Sequence, residues 1–469
     1  MAWSIRTFQS WRTCTVRRAP CPSRRGPTSP RRPKPRPDSP ASRMGPWLAI
    51  LRRHRVVRAS AAAIFLYGFA GAATSPYQSV LGIRELGLSD SQYAAIAFAA
   101  SITNVAMAIA IGALSDRFHS YRKPLILTSA FGIIGYGMIW ALPGPWVFAL
   151  AMIGPLALFH ATNSMLFGNV RAQSARFDPE ETRIVNALMR MAISLSWVLV
   201  PGAVGLMLAG QPSMIAAWLI AAVLAAACLA TITLWLEPDA PPPTDTRPER
   251  QPQGGTGTSR VAPSAGRSDR PAQPRLPVSV LGDLAQVLQP RLLASILGVA
   301  LITQVLHVNG AVLPLIVVGQ ANGTPEDVGF AVGMVAALEV GFMFLWTWAL
   351  RYLRLTTALA ISTVIYMGYL AGIAVAQTSG HVFAASLLAG VGAAGIISIP
   401  ISYLLDLIAD RPGLSASLIA VNVFIAGAIG AAIFALGTAV QGYPAAALLS
   451  GLAGLAGAGL LFKLERGAR

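Results

Sequence analysis

The chain has 469 residues, 54% of them hydrophobic and only 12% charged, about half the roughly 25% charge of an ordinary soluble domain. That balance excludes a water-soluble globular enzyme and requires that most of the chain be buried in lipid. The formal net charge of +17 does not point to nucleic acid, because residues 1–43 hold eleven Lys and Arg against Asp38 alone and supply +10 of it.

Residues 1–58 read as a basic cytoplasmic tail. Its Pro, Ser and Arg content cannot bury enough apolar area to offset ordering entropy, so disorder is expected. It also lacks the apolar core of a targeting signal. Met44 opens Met-Gly-Pro-Trp and is an alternative start, so residues 1–43 are read either as a true extension or as untranslated. Arg52, Arg53, Arg55 and Arg58 just before the first span set topology and can anchor to anionic headgroups, at about 1 kcal/mol each.

A spanning helix needs about 20 mainly apolar residues, and twelve such runs follow, near 59–82, 91–114, 124–142, 146–167, 185–208, 213–236, 292–318, 327–350, 356–376, 381–405, 414–437 and 443–463. They are expected to be helices, because irregular backbone facing lipid leaves N–H and C=O groups unpaired. Loops on one side hold Arg84 as their single basic residue. The opposite set holds Arg117, Arg122, Lys123, Arg171, Arg176, Arg183, Arg351, Arg354 and Arg411. Lys and Arg mark the cytoplasmic side, so both termini, including residues 464–469, are expected there, in a multi-pass protein of the plasma (inner) membrane.

Between the sixth and seventh spans, residues 237–290 are dense in Pro, Gly, Ser and Thr and read as a cytoplasmic linker. Six spans (59–236), a polar loop and six spans (291–463) is the layout of a transporter with two related bundles and a site between them at mid-membrane depth. Cys14, Cys21 and Cys228 form no disulfide framework, and Cys228 lies inside a span as a small core residue. Gly451, Gly454, Gly457 and Gly459 read as packing positions where helix backbones approach closely.

The loop Gly112-Ala-Leu-Ser-Asp116-Arg117-Phe-His119-Ser-Tyr-Arg122-Lys123 joins the second and third spans with little slack. It resembles the loop signature of the major facilitator superfamily, and the resemblance implies a charge network that gates the cytoplasmic mouth. His119 stands where that family usually has Gly, and the basic pair is about two residues farther from Asp116. The longer spacing is similar to the sugar efflux transporter branch. The competing reading, loop charges that merely obey topology, accounts for Arg122 and Lys123 but not for Asp116.

In the fifth span Asn186, Arg190, Ser194, Trp197 and Pro201 recur at helical spacing and share one face. Arg190 either faces the cavity or snorkels to the interface. The string from Arg190 to Pro201 resembles the fifth helix of sugar efflux transporters, and Pro201 with Gly205 partly matches an antiporter pattern in which Val200 and Val204 replace glycines. Pro201 removes one helix hydrogen bond and permits a bend.

Asn309 and Pro314 in the seventh span and Ala337-Leu338-Glu339-Val340 in the eighth again resemble that branch. A carboxylate at the bilayer centre costs roughly 2.5–3.5 kcal/mol, so it persists where a water-filled path or a partner receives it. Glu339, Met343 and Trp346 share a face, a wall suited to the hydroxyls and C–H faces of a sugar. Loss of water disfavours the charged form, so Glu339 is the expected proton carrier, with a structural ion pair to Arg190 as the competing role. His160 and Asn163 share a face of the fourth span and Gln304 and His307 one of the seventh. They are site candidates weighed against simple carbonyl partners, as are Gln78, Asn104 and Asn422. Tyr403-Leu-Leu-Asp406 through Arg411-Pro-Gly413 also resembles the branch, and Asp406 and Arg411 read as cytoplasmic gate charges.

The expected molecule is thus an all-α polytopic membrane protein of twelve helices in two six-helix bundles, and not an enzyme. The resemblance, over about residues 59–463, implies proton-driven export of sugars or sugar-like solutes by alternating access. Arg190, Trp197 and Asn309 are the first expected substrate contacts, and the shared helix faces add Asn163, His160, His307 and Trp346. Expected partners are a small solute, protons and membrane lipid, with no nucleic acid, cofactor or metal. An exporter of drugs or other amphiphiles on the same fold and a non-transporting membrane sensor remain the alternatives.

Overall fold

A computed structural model describes residues 46–118, 120–173, 177–236, 289–407 and 412–466, and these described residues belong to one compact unit. The described helices, in chain order, are α1 (Pro46–Arg53), α2 (Arg55–Thr74), α3 (Asp90–Phe118), α4 (Arg122–Ala141), α5 (Pro145–Ile153), α6 (Pro155–Gln173), α7 (Pro179–Leu208) and α8 (Ala216–Trp235). After the linker come α9 (Pro290–Val318), α10 (Pro325–Ala349), α11 (Leu355–Ala374), α12 (Ser379–Leu407) and α13 (Pro412–Arg466). Beyond α2 the chain continues helically through a 3₁₀ turn at Ser75–Tyr77 and a wide turn at Leu81–Glu85.

Eleven segments are long and apolar enough to cross a membrane among the described residues, and the last runs from Val421 to Arg466. That last segment is two helices. Gln441 has φ −146° and Gly442 has φ 76° and ψ −159°, a backbone region open to glycine but not to a residue with a Cβ, and Pro444 starts the second limb. The expected fourth span is likewise α5 and α6, broken at Gly154.

The expectation of disorder through residue 58 fails over residues 46–58. Pro46–Arg53 is helical, and Arg55 and Arg58 belong to the first turns of α2. The reason is local amphipathicity: Ile50 buries itself in the core, while Arg53 reaches Glu181 of α7 at 3.0 Å. Residues 1–45 and 237–288 lie outside the described residues.

Several helices start where a proline can occupy the first turn without losing a hydrogen bond, as at Pro179, Pro290 and Pro325. Thr324 and Asp327 cap α10 reciprocally, with Asp327 accepting from the Thr324 N–H at 2.9 Å. Small residues set helix spacing. A Cβ on Gly457 would lie 2.6 Å from the Gly298 carbonyl, and Gly451 and Gly454 also press on neighbours, while Gly459 faces open space.

Two faces follow from the contacts at helix ends. Arg53 meets Glu181, Arg122 donates to the Thr233 carbonyl at 2.6 Å, Arg291 to the Leu464 carbonyl at 3.3 Å, and Arg354 pairs with Glu465 at 2.7 Å. These ends form the basic face. At the opposite face lie the turns with Gly87, Gly210 and Gly442, all at positive φ. There Glu85 accepts from the Met214 N–H at 2.8 Å and from Ser213 at 2.5 Å.

Candidate functional site

A cavity of about 640 Å³ lies between the helices before the linker and those after it. Ser75 and Gln78 beyond α2, Tyr93 and Ser101 of α3, and Ser194 and Trp197 of α7 line one side. His307, Asn309, Glu339, Tyr366 and Phe434 line the other. The aliphatic remainder includes Ile193, Leu306, Leu313, Val332, Val335 and Ile397. The α10 contributors, Val332, Val335, Ala336, Glu339 and Val340, repeat at steps of three and four, so one helical face supplies them all.

Glu339 is half-buried, and no hydrogen bond or ion pair joins it to another described residue. Asn309 is held from behind: its Oδ1 accepts the Tyr369 hydroxyl at 2.7 Å, which leaves the amide N–H groups for the cavity. Gln78 contacts the Met152 sulfur at 3.3 Å. The arrangement joins a carboxylate, two amides, an imidazole and an indole in one aliphatic chamber. It can bind a small solute through several hydrogen bonds at once and can hold or release a proton.

Of the residues expected from sequence, Trp197, His307, Asn309 and Glu339 meet in this cavity. Arg190 does not line it. It is exposed one turn nearer the basic face than Ser194, and it forms no ion pair with Glu339. His160 and Asn163 do share a face of α6, but that face points into the first half: the Tyr67 hydroxyl lies 3.1 Å from His160 Nδ1, and the Asn163 Oδ1 is buried among protein atoms. Gln304 is spent on the Ser450 carbonyl at 2.8 Å, and Asn422 donates to the Ile296 carbonyl at 3.1 Å.

Trp346 is on the expected face but at the wrong height. Seven residues carry it about 10 Å along the helix from Glu339, where it is buried and its indole N–H donates to the Val391 carbonyl of α12 at 2.8 Å. Trp346→Phe should therefore lower thermal stability by about 1 kcal/mol, the net value of one such bond. Substrate affinity should be unchanged, as a thermal melt with and without ligand will read.

The gate charges divide. Arg122 ties the start of α4 to the end of α8 through Thr233, Arg117, Lys123 and Asp406 are exposed, and the Asp116 side chain and Arg411 lie outside the described residues. Among the described residues, contacts that join the two halves beside the cavity lie at the opposite face. The Tyr77 hydroxyl donates to the Pro201 carbonyl at 2.9 Å, and a Cβ on Gly329 would stand 2.2 Å from that same oxygen. A Cβ on Gly205 would lie 3.0 Å from the Glu326 Cα. Tyr443, beside the Gly442 break, donates to Asp90 at 3.1 Å, has the Arg84 guanidinium 6.0 Å from its ring and stacks on Phe434 at 6.3 Å. Phe434 in turn meets Tyr93 at 5.8 Å.

Sequence reasoning missed Tyr93, Tyr366 and Phe434. Each is an aromatic in an apolar run, and nothing in the spacing distinguishes a cavity-facing ring from a core one. Gly329 and Gly333, four residues apart, are a legible sign that another helix approaches closely, though not of which one. No group of three or more His, Cys, Asp or Glu able to hold a metal occurs among the described residues.

The sequence profile of the Major Facilitator Superfamily matches the chain in two overlapping stretches, residues 23–201 and 61–431. A Deinococcus radiodurans protein named "Putative sugar efflux transporter" is 24% identical over 350 residues, covering 74% of this chain and 82% of that protein. Among solved structures, the nucleoside transporter NupG superposes with a TM-score of 0.66 at 12% identity, over 88% of this chain and 99% of its own. A bacterial homologue of the human lysosomal transporter Spinster, in an inward-facing and occupied conformation, gives 0.63 at 12% identity, over 89% and 97%. With its helical membrane architecture and a profile match over most of its length, the chain belongs to the Major Facilitator Superfamily, a family of transporters and not of enzymes.

Proposed function

We propose that this protein exports sugars or sugar-like solutes in exchange for protons, by alternating access. The observation that carries the reading is the cavity itself, which Glu339, Asn309 and His307 from the second half line together with Trp197 from the first. The Deinococcus relative's name supports the solute class. In this reading the break at Gln441–Gly442 makes twelve crossings in two bundles, 59–236 and 291–463. The basic face is cytoplasmic, both termini lie there, and the cavity is closed toward the outside of the inner membrane.

The cycle follows from the chemistry of the lining. Glu339 takes a proton while the cavity is open outward and yields it to the cytoplasm as solute loads. Amides and hydroxyls replace the water of the solute's own hydroxyls, while Trp197 and Phe434 cover its C–H faces. Arg190 at the cytoplasmic mouth meets the solute or the ionised Glu339 in states other than this one. Arg190→Lys keeps the charge but lacks the planar fork for bidentate contacts, so we expect transport to fall by about tenfold; unchanged flux would return Arg190 to a topology role.

A second reading rests on the aliphatic wall of Ile193, Leu306, Leu313, Val332, Val335 and Ile397, which suits a drug or other amphiphile. A thermal-shift screen of the purified protein separates the two, because a ligand stabilises the native state by mass action. Stabilisation by sugars, stronger at the pH where Glu339 is ionised, supports the first reading. Stabilisation by amphiphiles alone rejects it.

A further inference from the structure

A second cleft, of about 430 Å³, opens at the basic face and is lined by Arg55, Arg58, Ala59 and Trp235. It lies where the start of the first span meets the end of the sixth. The two helices are packed together one level deeper, where the Cys228 thiol of α8 donates to the Ala63 carbonyl of α2 at 3.3 Å. Arg55 and Arg58 are three residues apart on α2 and so project on the same side. Both are exposed, and neither has a hydrogen bond or ion pair among the described residues, in contrast to Arg53, which is spent on Glu181, and Arg122, which is spent on Thr233. Trp235 is 55% exposed and Leu234 71%, at the final turn of a helix that is otherwise strongly apolar.

We propose that this cleft is a specific binding site for one anionic phospholipid, with the phosphodiester held between the Arg55 and Arg58 guanidiniums and the glycerol and first acyl carbons against Trp235. The ligand class follows from the set. Two unpaired guanidiniums present planar N–H forks that match a phosphate oxygen pair, and a basic pocket between spanning helices at the headgroup level is where such lipids are held. An indole at the same level is amphipathic and suits the boundary between headgroup and acyl chain. A free phosphate ion shares the headgroup's charge but gains nothing from Trp235. The commitment to a lipid therefore rests on the indole and on the exposed Leu234 beside it. The inference needs only that α2 and α8 span the membrane, and it is independent of what the central cavity carries.

Native mass spectrometry of the full-length protein, released from detergent with phosphatidylglycerol or phosphatidylcholine, tests the site. We expect one phosphatidylglycerol retained in preference to phosphatidylcholine by about tenfold, that is about 1.4 kcal/mol. Arg55→Gln with Arg58→Gln should remove the preference, and the control Arg351→Gln should keep it. Trp235→Ala leaves every charge in place and should weaken lipid retention several-fold, so the site remains testable if the double variant folds poorly. Inorganic phosphate at millimolar concentration should not displace the lipid. Displacement by phosphate would replace the lipid site with a free-anion site. Full preference in both the double variant and Trp235→Ala would overturn the proposal.

Discussion

In proteoliposomes, Glu339→Gln should abolish uphill efflux driven by a pH gradient while leaving solute exchange at equal pH within about twofold of the parent. The expected loss is about tenfold or more, because glutamine keeps the size and much of the hydrogen bonding but carries no exchangeable charge. The separation of the two assays is what makes the result informative. A residue that only bound solute would lower both, and a residue that only held the halves together would lower stability as well. Glu339 has no partner among the described residues in this state, so its replacement removes no bond and should not unfold the protein. Undiminished uphill efflux in this variant would end the coupling role.

The second large effect is expected from Gly329→Leu. A Cβ there would lie 2.2 Å from the Pro201 carbonyl and 2.7 Å from the Tyr77 hydroxyl, well inside contact distance, and the obstacle on the α7 side is backbone. The approach of α7 and α10 then cannot form, and under the proposed alternating-access cycle transport is lost. We expect flux to drop by about a hundredfold, corresponding to loss of more than about 2.7 kcal/mol of the closed state. The readout is accessibility. With Cys14 and Cys21 replaced by Ser, a cysteine at Ser75 in the cavity wall should react with an impermeant maleimide from outside in Gly329→Leu and stay protected in the parent. Equal protection in both would show that Gly329 is not a closing contact.

The two variants probe groups of very different legibility. Glu339 stood out in sequence because a charge inside an apolar run is costly wherever the helix lies, so its importance needs no knowledge of its neighbours. Asn309 entered through the family resemblance and His307 through a face shared with Gln304, and both line the cavity. Trp346 failed on this logic, because sharing a helical face fixes direction and leaves height along the axis undetermined. The α6 pair failed for a related reason: His160 and Asn163 lie on one face, yet what that face meets is Tyr67 inside the first half and not the cavity. Arg190 sat on the right face one turn too near the basic end.

Helices, their approximate limits and their alternation across the membrane follow from the sequence by itself. Hydrocarbon forces backbone hydrogen bonds to close within each segment, and the length of a span is set by bilayer thickness. The asymmetry of Lys and Arg between alternate loops and the mid-span carboxylate are equally local properties. Tertiary structure alone decided which polar faces meet, that α7 and α10 touch through Gly329 and Pro201, that Tyr443 bridges Arg84 and Asp90, and that Arg55, Arg58 and Trp235 share one cleft. These contacts join residues far apart in the chain, and they depend on helix rotation and tilt. Those are set by side-chain packing between helices, which the period of an apolar run cannot specify because every face of such a run is hydrophobic.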